Sequence, residues 1–400
     1  MAWQPRESVR DAAKPAYACA LPDLHNVIHN FMRTLRESLE NGLNRHWYRP
    51  SWPVGDMALA TLLRPLEWLY RSAWQLRERR TRGRARSPDG NITLIAIGNL
   101  VAGGAGKTPA TLALASALQA RGVACGIVCR PYRAPGFAGR VRILQRANLA
   151  EIPASEVGDE AWLLSWRSGL PVGVGRNRLE TARALAQSVP ELRALLIDDG
   201  LQQRDLLCGQ RLLVIDDRGF GNRHCLPAGP LREPIGDLRR FTGWIANGID
   251  ADHPALRAAG SLPAMGGTMT QSSAGWVNLA RWEQAHQDLE STASLASRLT
   301  GKSVLAAAGI AVPARFFELL AEMGLCFSTL ALQDHDPRAV DHIIARRDHG
   351  HFDAVLMTEK DAVKFFHLPV AERQNMWALR REAHLPESFV TELLHGFKTS

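Results

Sequence analysis

The sequence predicts an α/β fold: a three-layer α/β/α domain, a second and smaller α/β domain, and an amphipathic helix ahead of both. Three observations carry this prediction. From residue 91 onward, short apolar runs alternate with helical patterns, as βαβ units on a parallel sheet do. The alternation stops around 250–300 and resumes with Val304-Leu-Ala-Ala-Ala308. Upstream, leucines recur at three- and four-residue spacing just before a cluster of arginines.

Residues 1–44 are polar and weakly periodic. They read as a flexible extension, or as the product of an upstream start codon with Met32 as the true first residue. In the segment 45–90, Leu59, Leu62, Leu63, Leu66, Leu69, Tyr70, Ala73 and Leu76 mark an amphipathic helix, bent or restarted at Pro65. Trp47, Trp52, Trp68 and Trp74 cluster around it, and residues 77–86 hold six arginines in ten positions. Apolar stripe, tryptophans and arginines together read as an in-plane anchor on an anionic membrane surface. A core helix followed by a solvated basic linker is the alternative reading. Nucleic acid is disfavoured as a partner, because no reader motif accompanies the arginines.

The first domain is expected over 91–260. Ile92-Thr-Leu-Ile-Ala-Ile97 reads as a buried strand and Ala110-Thr-Leu-Ala-Leu-Ala-Ser-Ala-Leu118 as a helix. Between them lies Gly98-Asn-Leu-Val-Ala-Gly-Gly-Ala-Gly-Lys-Thr-Pro109. Strand, glycine loop, Lys-Thr and helix is the layout of a phosphate-binding loop, or P-loop. Its nucleotide-binding residues would be Val101, Ala102, Gly103, Gly104, Ala105, Gly106, Lys107 and Thr108. Glycines let backbone N–H groups approach phosphate oxygens, and the helix N-terminus adds its positive end. Lys107 would meet the outer phosphates of ATP and Thr108 would ligate Mg²⁺. Val101 stands where the general pattern has glycine, so a tight strand–helix turn is the competing reading.

Further along, Val123–Val128, Ala194–Ile197 and Arg211–Ile215 read as strands. A helix begins at Asp159, and another spans Leu179 to Gln187. Asp198-Asp199-Gly200 follows the apolar strand ending at Ile197. Carboxylates at such a strand end hold Mg²⁺ beside a phosphate loop. A turn-forming Asp-Asp-Gly is the alternative. The segment 261–300 reads as a linker, with a strand and turn over Gly266–Gly275. The second α/β domain is expected over 301–372, with a helix from Pro313 to Met323. A return strand and C-terminal helix are expected over 373–400.

Composition narrows the class. With 400 residues and 46% hydrophobic content, the chain can fill more than one core. Six cysteines, none in a C-x-x-C pair, argue for a reducing compartment and against zinc. Cys125 and Cys129 read as small apolar core residues. The polar N-terminus is no secretory signal, and no run of 18 apolar residues is present to span a membrane.

Several motifs, in their order along the chain, resemble the tetraacyldisaccharide 4′-kinase family. They are the Gly98–Pro109 loop, Val157-Gly-Asp-Glu160, Val174-Gly-Arg-Asn-Arg178 and Asp198-Asp-Gly-Leu-Gln202. Then come Arg218-Gly-Phe-Gly-Asn222, Leu226-Pro-Ala-Gly-Pro-Leu-Arg-Glu-Pro234, Asp334-His335 and Thr358-Glu-Lys-Asp-Ala-Val-Lys364. The resemblance covers roughly residues 45–395. It implies two α/β/α domains joined by a two-stranded linker, peripheral attachment to the cytoplasmic face of the bacterial inner membrane, and ATP-dependent phosphorylation of a lipid A disaccharide precursor. It also implies a catalytic pair, Asp159 with His335, alongside Lys107. Acceptor-binding roles for Arg130, Tyr132, Glu160 and Arg232 follow from the same resemblance. A carboxylate such as Asp159 can accept the proton of a sugar hydroxyl, and an imidazole beside it can orient that carboxylate.

Three places depart from the family pattern. Cys129-Arg-Pro-Tyr-Arg133 stands for Ser-Arg-Gly-Tyr-Gly, Gln203 replaces a frequent histidine, and Asp336 follows His335 where the family carries a second His or an aromatic. Two other functions fit parts of the chain: a membrane-recruited P-loop ATPase switch and a silent nucleotide-binding scaffold. The first explains neither Asp159 and His335 nor the Leu226–Pro234 string, and the three departures would allow the second.

Overall fold

The computed structural model describes residues 42, 46–48, 54–81, 85–88, 92–203, 206–236, 238–284 and 288–397. The polar extension expected over 1–44, Gly42 apart, lies outside the described residues, as do Trp52, Arg82 and Arg84.

Twelve strands form one sheet in the order β10-β9-β11-β12-β8-β7-β6-β1-β5-β2-β4-β3. One half carries β1 (Thr93–Gly98), β2 (Cys125–Cys129), β3 (Arg142–Leu144), β4 (Val172–Val174), β5 (Ala194–Ile197), β6 (Gln210–Ile215) and β7 (Gly243–Asn247). The other carries β9 (Val304–Ala308), β10 (Ser328–Ala331) and β11 (Ala354–Thr358). Between them run β8 (Met265–Asn278) and β12 (Met376–His384).

Strands β1, β2, β5, β6 and β7 pair in parallel, and all but a few of their residues are buried. Both faces are therefore covered, which explains runs without polar alternation. Ile95 and Ile97 face a core with Leu114 and Leu118 of the helix Lys107–Gln119. Leu94 faces the opposite way, toward Ala182 and Leu185 of the helix Arg178–Ser188. Cys125 and Cys129 are buried, and burial pushes the Cys125 thiol up to about 12, as befits an apolar packing residue.

Two local expectations are corrected. Residues Gly266–Gly275 do not turn; β8 runs fourteen residues through them to Asn278. Its first five residues pair in parallel with β7, and the following stretch pairs antiparallel with β12. Cross-strand pairing on both sides thus overrides a Gly- and Ser-rich composition. The composition shows instead as a bulge: Arg380 faces Gly275 and Arg381 faces Ser273, leaving Ala274 over.

Nor does the amphipathic helix restart at Pro65: Val54–Thr81 is one helix. The proline removes one backbone bond on an exposed stretch, where water can serve the freed carbonyl. Leu63, Glu67, Tyr70 and Trp74 turn inward, whereas Leu62, Leu66, Leu69 and Leu76 remain half or more exposed. Four leucines of the stripe therefore face outward, which argues against the core-helix reading. Among the described residues no helix is long and apolar enough to cross a membrane.

Candidate active site

The loop after β1 is braced from within. Asn99 is fully buried and donates to the carbonyls of Val101 and, more weakly, Gly103, at 2.9 and 3.4 Å. Its carbonyl oxygen accepts from Lys107 Nζ at 3.2 Å. Val101 is buried and bridges Leu231, and the backbone exchanges Ala102 N→Pro230 O and Arg232 N→Leu100 O flank that bridge. The Leu226–Pro234 string thus forms the floor of the loop, and a branched residue at 101 packs where the general motif has glycine. Ala105 is likewise buried, whereas Gly104, Gly106, Lys107 and Thr108 line a cleft of about 660 Å³. Gly103 and Gly106 adopt φ of 89° and 87°, a region glycine enters without strain. Arg218 closes the loop's outer side, donating to Gly104 O at 2.6 Å while gripping Asp216.

The carboxylates after β5 have different surroundings. Asp198 is buried and accepts from Thr111 at 3.0 Å. Burial, then Glu160 and Asp199, push its carboxyl up to about 6. Burial also acts on Asp199, but Lys107, Arg232 and Arg178 outweigh it and hold that carboxyl below its ordinary value. Arg232 meets Asp199 at 2.9 Å and Lys107 lies 3.6 Å from it. Arg178, itself buried, donates to the carbonyls of Asp198 and Asp199, holding the turn in which Asp199 takes a positive φ of 49°. Arg178 and Arg130 share the carbonyl oxygen of Gln203, at 3.0 and 3.1 Å. A neutral amide thus stands between two guanidiniums where the family often has histidine.

Asp159 and His335, 176 positions apart in sequence, meet with His335 Nδ1 3.6 Å from Asp159 Oδ2. Asp159 opens the helix Asp159–Ser168, while His335 sits on a turn after β10 at φ 60°. Tyr132 packs edge-on against the imidazole, ring centres 5.0 Å apart. Lys364 reaches Asp159 Oδ2 at 3.6 Å, and Lys360 lies 2.8 Å from both His335 Nε2 and Asp334 Oδ1. Glu160 completes the group, 3.7 Å from Lys360. Glu160, Asp334 and Lys360 line the same cleft as Lys107 and Thr108.

The departures from the family motif have local explanations. Pro131 leaves φ negative, whereas Arg133, at the second glycine of the motif, takes φ 49°. Its guanidinium donates to Asp334 O at 2.9 Å, tying the β2 loop to the turn that bears His335. Asp336 turns to the helix Ala339–His349, accepting from Arg338 N and facing His342, so it leaves His335 in place. Roles for Asn99, Arg178, Arg218, Lys360 and Lys364 were not foreseen. The signal for the lysines was the Thr358–Lys364 motif, which holds both of them at i, i+4 just past an apolar strand.

A family described as tetraacyldisaccharide-1-P 4′-kinase matches residues 59–398. A tetraacyldisaccharide 4′-kinase of Methylibium petroleiphilum is 42% identical over 337 residues, covering 84% of this chain and 86% of the relative. That of Neisseria gonorrhoeae is 36% identical over 362 residues, covering 88% and 96%. Among solved structures, LpxK from Aquifex aeolicus in complex with ATP shares the fold at TM-score 0.66 and 21% identity, over 85% of this chain and 99% of that one.

Proposed function

Because the chain belongs to the tetraacyldisaccharide 4′-kinase family, we propose that its cleft carries out that family's reaction, transfer of the γ-phosphate of ATP to the 4′-hydroxyl of a tetraacylated glucosamine disaccharide 1-phosphate. The observation that carries the assignment is the single cleft. The glycine loop, Lys107 and Thr108 form one wall, and the residues flanking Asp159 and His335 form the other. Phosphoryl transfer needs that juxtaposition, because it is mostly positioning and charge neutralisation.

In this reading Lys107 neutralises charge on the outer phosphates. Asp159 takes the hydroxyl proton, and His335 orients Asp159. Arg130, Tyr132, Glu160 and Arg232 contact the acceptor. The Asp198 carboxyl, raised first by burial and then by Glu160 and Asp199, marks a place where a dication would relieve the crowded negative charge. Thr108, Asp198 and Asp199 are therefore the residues to hold Mg²⁺, which supplies charge neutralisation when bound. In domain terms, 91–260 carries the kinase loop and 301–372 the second α/β unit, with 261–300 and 373–400 between and after them.

The exposed leucine stripe of Val54–Thr81, ending in exposed Arg77, Arg79 and Arg80, docks on the anionic cytoplasmic face of the inner membrane. There it meets a substrate that is itself a lipid.

Labelled ATP tests the reading. Phosphate should appear on the lipid disaccharide, and Lys107→Ala should abolish transfer with circular dichroism unchanged. Phosphate released only to water would make the protein an ATPase switch, and phosphate moved neither to lipid nor to water would make it a silent scaffold.

A further inference from the structure

Lys360 has two neighbours that a lysine rarely has together: an imidazole nitrogen and a carboxylate, each at 2.8 Å. An ammonium has donors only. At 2.8 Å from Lys360 Nζ, His335 Nε2 must therefore present its lone pair, and the proton of the neutral ring must sit on Nδ1. Nδ1 is the nitrogen that faces Asp159 Oδ2, at 3.6 Å.

Without Lys360 the opposite tautomer is favoured. Nε2 has Asp334 Oδ1 at 3.6 Å and Glu160 Oε1 at 3.9 Å, two acceptors that invite an Nε2–H. The ring would then turn an Nδ1 lone pair toward the Asp159 carboxylate, two acceptors face to face. Lys360 stands in the way: it pairs with Asp334 and Glu160 itself and fills the acceptor position on Nε2. The other groups around the ring do not set this choice. Lys364 lies on Asp159 and Asp361, Tyr132 packs edge-on against the ring, and Arg133 donates to the Asp334 backbone.

Resting on the kinase reading above, we propose that Lys360 is a positioning residue that fixes the Nδ1–H tautomer of His335, and through it the orientation of Asp159. His335 Nδ1 and Lys364 Nζ both make their closest approach to Oδ2, and among the described residues no hydrogen bond reaches Oδ1. Oδ1 is therefore the oxygen left to receive the proton of the acceptor hydroxyl. The proton moves from that hydroxyl to Asp159 as the new O–P bond forms and the bond to the ADP oxygen breaks.

The test is nitrogen NMR of full-length protein labelled on its histidines, without nucleotide or acceptor, His335→Gln identifying the resonances. The wild type should show a protonated Nδ1 and a bare Nε2. Lys360→Met should invert the pair, and Lys360→Arg should keep it. In the transfer assay Lys360→Met should lower kcat roughly ten- to a hundredfold, as is typical of groups that orient an imidazole, with KM for ATP within about twofold. A protonated Nε2 in the wild type, or an unchanged tautomer in Lys360→Met, overturns the proposal. So does a raised KM for ATP with kcat intact, which would make Lys360 a nucleotide ligand. The spectra involve no acceptor, so they stand or fall apart from the transfer reaction itself.

Discussion

Adding one methyl group at Gly106 should disable the glycine loop proposed to bind ATP while leaving the sheet intact. Gly106 has φ 87°, and a Cβ built there would lie 2.0 Å from Asn247 Nδ2 and 2.6 Å from its Cγ. The backbone conformation alone costs an L-residue about 1–2 kcal/mol. Asn247 must also withdraw, and it donates to Ala105 O at 3.2 Å while accepting from Gln271 at 2.6 Å. Losing one or two such bonds adds about 1–2 kcal/mol. The sum, about 2–4 kcal/mol, corresponds to a loss of about thirty- to a thousandfold in productive loop geometry. ATP binding and transfer rate would both register it. Two variants isolate the cause. Gly104 has open space where its Cβ would go, so Gly104→Ala should melt as the wild type does. Asn247→Ala removes the colliding amide, so in the double variant Gly106→Ala should cost less than it does alone. Wild-type ATP affinity in Gly106→Ala would refute the steric argument, and strict additivity would refute the role given to Asn247.

Asp159→Asn and His335→Ala should each slow transfer roughly 10²–10⁴-fold and disturb ATP binding little. Their combination should lose little beyond the worse single, and Gln203→Ala should cost less than either; multiplicative losses would dissolve the pair. A second test concerns pH. Because the Asp198 carboxyl is raised from 3.8 to about 6, the folded state keeps a proton that the unfolded state has lost, so this group erodes stability as pH rises through that window. Metal-free Asp198→Asn should therefore melt higher than wild type at pH 8 and converge with it near pH 4; no gain at pH 8 would contradict the assignment. At the membrane, Leu66→Glu with Leu69→Glu should abolish co-sedimentation with anionic vesicles. Glutamine at Arg77, Arg79 and Arg80 should weaken binding most at low salt, where exposed charge is least screened; salt-independent binding would place the anchor elsewhere.

The half of the site that is local in sequence was legible, and the half that is assembled across the sheet was not. The Ile92–Ile97 run, the glycine loop and Lys107-Thr108 are contiguous, and each carries its own physical signal. Asp198 and Asp199 were visible because apolar strands rarely end in two carboxylates without reason. His335 and Asp159 belong to different halves, and no periodicity joins residues 176 apart; only the ordered family motifs did. Arg178 stood in the sequence only as the end of the Val174–Arg178 motif, yet it is buried and holds the carbonyls of Asp198 and Asp199, a role visible only once β5 and its following turn exist. The unbroken β8 was hidden for a related reason. Ser272, Ser273 and Gly275 are poor strand formers alone, and the partners that override them arrive more than a hundred residues later in β12.

The departures from the family motif leave the site whole. At each, the residue present finds hydrogen-bond partners of its own outside the Lys107–Asp199 and Asp159–His335 contacts. Gln203 offers one oxygen to two guanidiniums. Asp336 is drawn off by Arg338 and His342. Arg133 accepts a left-handed backbone and in return reaches Asp334 O across the cleft. By contrast Lys107, Asp159, Asp199 and His335 are bound into one charged network at the cleft: Lys107 to Asn99 and Asp199, Asp159 to His335 and Lys364, Asp199 to Arg232. Changing one of these strands a buried or half-buried charge whose other partners cannot move to meet it, a penalty of several kcal/mol where a surface exchange costs a fraction of one. The chain can therefore drift at 131, 203 and 336 while the charged frame around the cleft stays fixed.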